Sequence, residues 1–212
     1  MPLKTDTFKV PEIRIKHGWL LQNAFKFYTE KISEYKDIKT PTLEEVKNIE
    51  KNRQEIWKTN EKKIIIGMQE ISGLHFHQNL IDVYLVFGAQ AAFSDPMVLS
   101  TKYEGDNFID VLTHEILHRL LTDNTENIKW FKWIKETYPK HAHDFTAMAH
   151  ILVHAIHKEI YLTILKSPER LQKDIETCEK WPSYKIAWDI VETEGHLHII
   201  TKFKEMYAKQ LV

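Results

Sequence analysis

Residues 106–124 read Asp106-Asn107-Phe108-Ile109-Asp110-Val111-Leu112-Thr113-His114-Glu115-Ile116-Leu117-His118-Arg119-Leu120-Leu121-Thr122-Asp123-Asn124. Phe108, Val111, Leu112, Ile116, Leu117, Leu120 and Leu121 are apolar nearly all round a helical wheel, which describes a buried helix. Asp106 or Asn107 suits the N-cap, and Asp123 with Asn124 suits the stop. Into this apolar helix the chain sets His114, Glu115 and His118. Polar groups there need partners, because an unpaired one is costly away from water. Positions i and i+4 share a helix face, so both imidazoles can reach one metal ion. Glu115 follows the first imidazole directly and can project beside that ion, placed to take a proton from a water. Zinc suits neutral imidazoles and makes hydroxide available near neutral pH.

A second polar stripe lies downstream. His143, Ala147, His150, His154, His157 and Tyr161 repeat at spacings of four, three, four, three and four, which is one continuous helical face. Four histidines on an otherwise apolar face are hard to explain as packing. Catalytic zinc usually takes three protein ligands and keeps one position open. The expected metal ligands are therefore His114, His118 and either His150 or His154, with Glu115 as the catalytic base. His143, His157 and Tyr161 are candidates for substrate or oxyanion contacts. Glu136, near the end of the aromatic segment Trp130–Pro139, reads as a solvent-facing charge. Asp110 shares the His114 face; it reads as a first-turn acid favoured by the helix dipole, or as an acceptor that orients a ligand imidazole. Arg119 reads as solvent-facing or ion-paired. His75, His77, His196 and His198 read as surface residues.

The segment His114–His118 resembles the active-site helix of the zincin metallopeptidases. The resemblance covers this one helix. The metzincin extension is not met, because Leu121 stands where its glycine would be and Asn124 where its third histidine would be. The upstream cysteine of peptide deformylases is not met either, since the one cysteine, Cys178, lies downstream. What the resemblance implies is a gluzincin-like plan, with the third ligand on a later helix and an orienting residue four positions beyond it. On this chain His150 maps as ligand and His154 as the orienting residue, or the reverse. The resemblance also implies a Zn2+-dependent hydrolase that cleaves peptide or protein substrates. It further implies a strand that binds substrate backbone by strand addition. Met97–Ser100 precedes the motif helix and is a candidate for that role, but on its own it reads first as an ordinary sheet member. The alternative reading is a catalytically inactive, zinc-stabilised binding module, in which His150 and His154 both join His114 and His118 and close the site.

The 212 residues carry a formal net charge of −1 with both signs mixed. That leaves no electrostatic footprint for nucleic acid or an anionic membrane. One cysteine gives no disulfide framework and fits a reducing interior. Residues 1–9 lack the apolar core of a signal peptide, and no apolar run approaches a membrane span. The expectation is a cytoplasmic protein of open oligomeric state.

Six glycines in this length point to long helices and few tight turns. Val10–Ile15 reads as a short edge strand or extended arm. Trp19 to about Tyr35 reads as a helix with Leu20, Leu21, Ala24, Phe25, Phe27 and Tyr28 as its apolar members. Thr42 with Glu45 makes a capping box, opening a helix expected to run to Ser72 with Gly73 as its C′ residue. Leu74–His77 is expected to start a sheet, Ile81–Phe87 is the best strand, and Met97–Ser100 is a short one. A helix follows Ser167-Pro168. Another covers Tyr184–Glu194, with Ile186, Ala187, Ile190 and Val191 buried, and Gly195 separates it from a last helix. These elements predict an α+β fold: a mostly helical single domain over 1–212, with a small sheet beside the buried His114–His118 helix. Its parts are a helical N-terminal part over 1–72, the sheet and both histidine helices over 73–165, and a helical C-terminal part over 166–212.

Overall fold

A computed structural model describes residues 9–29, 41–125 and 129–210. The fold is α+β. Strands β1 (Glu12–His17), β2 (Leu80–Val86), β3 (Phe93–Ser94) and β4 (Met97–Ser100) form one mixed sheet in the order β1-β2-β4-β3. The helices are α1 (Trp19–Thr29), α2 (Leu43–Lys58), α3 (Glu61–Ser72), α4 (Gly105–Asp123), α5 (Trp130–Thr137), α6 (Phe145–Glu159), α7 (Pro168–Cys178), α8 (Pro182–Glu194) and α9 (His196–Gln210). Among the described residues no helix is long and apolar enough to cross a membrane. The described parts of Lys9–Lys62 and Gln78–Arg119 form one compact unit, and those of Lys63–His77 and Leu120–Val212 form another. Each unit draws on separated stretches of chain, so no single cut parts them.

The sheet follows from period-two burial. In β1 the residues Ile13, Ile15 and His17 are buried, and they register with Ile81, Val83 and Leu85 of the parallel neighbour β2. Arg14 and Lys16 point to the other face, where both reach the Asp82 carboxylate at 2.7 and 2.6 Å. β4 runs parallel to β2, and β3 returns antiparallel along Met97 and Val98. All four β4 residues are buried. The reading of β4 as an ordinary sheet member holds, and its candidacy as a substrate-binding edge is corrected, because β4 is an inner strand and β3 takes the edge. Leu74–His77 is not a strand. Leu74 and Phe76 are buried with their N–H groups bonded to Ser72 Oγ at 3.1 Å and Gln69 Oε1 at 3.2 Å, so local side chains replace a ladder.

Among the described residues the outer edge of β1 has no strand partner. Unpaired strand edges invite pairing with other chains. Here α2 and α3 cover it with side chains. Ile13 N–H donates to Glu61 Oε1 at 3.0 Å, Ile15 N–H to Gln54 Oε1 at 2.9 Å, and His17 N–H to Glu50 Oε1. Gln54 Nε2 also donates to the Ile13 carbonyl at 3.0 Å, so one carboxamide serves both polarities of the edge.

The capping box at Thr42 and Glu45 opens α2 as expected. The single helix expected to reach Ser72 is instead broken at Thr59-Asn60. Thr59 Oγ1 and Asn60 Nδ2 both take the Ile56 carbonyl, at 2.8 and 3.4 Å. These short side chains compete with the backbone for its own acceptors. Gly73 closes α3 at φ +75°, a left-handed conformation that suits the C′ position. α1 departs from its expected apolar face. Leu20 is 82% exposed and Phe27 is also exposed, while Leu21 and Phe25 pack on Val86, Ala89 and Val98. The buried anchor of α1 is Gln22, whose amide accepts from Phe87 N–H at 2.7 Å and donates to Phe87 O at 3.1 Å. The expected end of this helix near Tyr35 lies outside the described residues.

Replacing Gln54 with leucine removes both bonds to β1. The expected cost is about 1–2 kcal/mol in urea denaturation, together with faster hydrogen exchange at the Ile15 amide. Unchanged stability and exchange would show that α2 does not guard this edge.

Candidate metal centre

Helix α4 carries the first part of the centre. Its start is held by Arg53, a buried residue of α2. The guanidinium donates to the Tyr103 carbonyl at 2.9 Å and to Glu104 Oε1 at 3.1 Å, and it lies over the Phe108 ring. Phe108, Leu112, Ile116, Leu117, Leu120 and Leu121 are buried, as the sequence predicts, while Val111 is only half-buried and Ile109, which the pattern did not include, is buried. Asn124, where a metzincin histidine would stand, is buried and spends its amide on the carbonyls of Leu120 and His75, at 2.8 and 3.0 Å.

His114 and His118 are half-buried and turn toward each other, with Nε2 atoms 3.2 Å apart and ring centroids 4.9 Å apart. A tetrahedral ion about 2.0–2.1 Å from each nitrogen holds two ligand nitrogens about 3.3–3.4 Å apart. The spacing of the pair is close to that value. Glu115, between them in sequence, is 8% exposed. Burial pushes its carboxyl up to about 7, because removal from water penalises the charged form. The Tyr103 phenol is pushed up as well, first by burial and then by the Glu115 charge.

Helix α6 carries the histidine stripe. Its N-cap is Asp144, whose side chain accepts from Ala147 N–H at 2.9 Å and from Ser183 Oγ at 2.8 Å. These bonds hold the Asp144 carboxyl below its usual range, the Ala147 bond contributing most. Because the helix starts at Phe145, His143 falls in the preceding turn and is exposed, so the expected continuous face is shorter than its spacing predicts. Residues 147–157 are buried without a break. Past Glu159 the chain winds through a π-helical turn, Ile160–Leu165.

His150 Nδ1 lies 2.7 Å from the Thr146 carbonyl, which can only accept. Nδ1 is therefore the protonated nitrogen. Burial lowers the His150 pKa, so the ring is neutral near pH 7 and Nε2 keeps its lone pair. That is the tautomer a metal ligand requires. His154 is fully buried, its ring stacked on Trp188 at 4.3 Å and 14°. His157 is buried against the Tyr161 ring at 4.4 Å, and burial pulls its pKa down to about 3.

Glu136 is exposed and pairs with Lys132 at 3.6 Å, as expected. Arg119 pairs with Asp95 at 3.0 Å. His196 is not a plain surface residue, because it bonds Glu159 Oε2 at 2.9 Å. In α8 the buried residues are Ala187, Trp188 and Val191, while the expected Ile186 and Ile190 are only half-buried. Sequence reasoning missed Tyr184 and Trp188, whose rings lie on His150 and His154. A signal existed: both pairs share an i, i+4 spacing. No protein-family model, curated protein or solved structure matches this chain. The zincin resemblance accordingly rests on the residues of α4.

A buried carboxyl with a raised pKa has a cost that depends on pH. The unfolded chain ionises Glu115 near its ordinary value of 4.5, while the folded chain resists ionisation up to about 7. Stability held below pH 4.5 is thus lost as pH rises through about 7. In metal-free protein, Glu115→Gln removes this loss. The variant should gain about 2 kcal/mol more over the parent at pH 8 than at pH 5, read by denaturant unfolding at both values. An equal difference at the two pH values would contradict a raised carboxyl.

Proposed function

We propose that this chain is a zinc-dependent hydrolase acting on peptide bonds, with His114, His118 and His150 as ligands and Glu115 as general base. One observation carries the reading: two imidazole nitrogens 3.2 Å apart on α4 flank a buried carboxyl whose pKa is raised to about 7. Neutral imidazole donors suit zinc, and three of them leave a tetrahedral position open. A zinc ion bound there supplies a Lewis acid and an acidified water.

The chain's own residues supply positioning and proton transfer. Glu115 lies next to its metal-ligating neighbour in a dry setting, with a pKa matched to neutral pH in the metal-free chain. A carboxyl so tuned takes a proton from the attacking water and returns it to the leaving amine. The Thr146 carbonyl holds His150 in the tautomer whose lone pair is on Nε2. The three-histidine set is preferred to a closed four-histidine module because His154 is fully buried, whereas Thr146 holds His150 as one tautomer. The proposed substrates are peptides or proteins. The proposed setting is the cytoplasm, on the mixed charge and the single cysteine.

Metal content by elemental mass spectrometry tests the site. About one zinc per chain is expected in the parent and in His154→Ala, with loss in His114→Ala and His150→Ala. Glu115→Gln should keep zinc and lose at least about a hundredfold in cleavage of a pool of unstructured peptides, followed by mass spectrometry. A parent that takes up no zinc when supplied, or a fully active Glu115→Gln, would overturn the reading.

A further inference from the structure

Helices α6 and α8 run side by side in the same direction. Ser183 Oγ near the start of α8 bonds Asp144 Oδ2 at the start of α6, at 2.8 Å. Farther along, Trp188 stacks on His154 at 4.3 Å, and Lys158 near the end of α6 pairs with Glu192. The two helices therefore begin together, and at that end each carries a large ring into water. Phe145, the first residue of α6, is 70% exposed, and Trp181, just before α8, is 63% exposed. Half-buried Phe131 of α5 extends the group, its ring centroid 4.8 Å from that of Phe145. A single exposed apolar residue is ordinary, whereas clustered ones mark an interaction surface.

Cations accompany these rings. Residues 129–145 hold four lysines against Glu136 and Asp144. Both acids are engaged: Glu136 pairs with Lys132, and Asp144 accepts from Ala147 N–H and Ser183 Oγ. Lys135 lies over the Phe131 ring at 5.9 Å rather than beside a carboxylate. Lys140, in the turn that leads into α6, is exposed and makes no ion pair among the described residues. On the α8 side Lys180 and Glu179 offset each other. The near-even charge of the whole chain averages this local excess of positive charge away.

Exposed rings beside unpaired lysines fit a partner that is apolar within and anionic at its border. A second copy of the chain would bring the same lysines face to face, which repels. Single-stranded nucleic acid stacks its bases on open ring faces, and Phe145 already leans on Phe131. A lipid surface needs only rings that can leave water and cations to meet its headgroups. We infer that the joined starts of α6 and α8 dock on an anionic lipid bilayer. Phe145 and Trp181 enter the headgroup region, and Lys135 and Lys140 meet lipid phosphates and carboxylates. The contact is peripheral and reversible, since two rings and a few lysines hold far less firmly than a spanning helix. It does not depend on the metal centre.

The test is co-sedimentation of the full chain with phosphatidylcholine vesicles that contain about a third phosphatidylserine, and with vesicles of phosphatidylcholine alone. The parent should bind the first, release from them in high salt, and leave the second unbound. Phe145→Ser combined with Trp181→Ser should weaken binding at least about tenfold. Lys140→Glu should weaken it roughly fivefold or more. All three positions are exposed, so melting temperatures should stay near that of the parent. Trp181→Ser alone replaces the double variant if that one does not fold. A parent that binds neither vesicle overturns the inference, as does parent-like binding in the ring variants. Equal binding to both vesicles overturns it by removing the role of the lysines. Binding of a single-stranded oligonucleotide but not of vesicles, read by fluorescence anisotropy, assigns the surface to nucleic acid and overturns it. A dimer in light scattering that Trp181→Ser dissociates assigns it to a second copy, with the same consequence.

Discussion

Taking a carboxyl out of water raises the free energy of its charged form, and apolar neighbours return none of it. Helix α4 does this at Glu115, with Ile116 and Leu117 buried directly after it. A helix with only packing to achieve would carry leucine there. The cost appears as the raised carboxyl pKa, and the half-buried imidazoles of His114 and His118 stand one residue before and three after. Buried ionisable groups of this kind gather where chemistry needs a proton held in reserve. The remaining features of the centre bear on the same economy: a tied α4 start, a histidine fixed as one tautomer, and a capped α6.

The His-rich helix shows how identical side chains are separated by their surroundings. His150 and His154 share one helical face, and each has apolar neighbours in sequence. In the fold the first bonds its own helix through Thr146 and meets a half-buried tyrosine, while the second is enclosed by Trp188. His157 goes further into the interior, where its pKa falls to about 3 and it stays neutral at physiological pH. His143 drops out because Asp144 caps the helix one residue later. Four residues that look equivalent on a wheel thus have four different electrostatic situations.

The sheet supports a similar argument about polar satisfaction. β1 ends the strand order, yet its outward N–H groups are bonded to Glu50, Gln54 and Glu61. Gln22 does the same for Phe87 beyond the end of β2. Amide and carboxylate side chains complete the backbone pairing where strands run out, which keeps buried polar groups satisfied.

The sequence by itself determined what depends on neighbours within a turn or two. The apolar pattern of α4, the i, i+4 pairing of His114 with His118, the capping box at Thr42 and the alternation in β1 and β2 are all local, because helix and strand periods act over a few residues. The break at Thr59-Asn60 was also local, but it depends on side chains competing for one carbonyl, which periodicity does not register. Only the tertiary structure decided the rest. It distinguished His150 from His154, shortened the histidine face at Asp144, and brought Tyr184 and Trp188 onto α6 from more than thirty residues away. Ring stacking and long-range hydrogen bonds depend on which helix packs against which, and no window of sequence contains both partners.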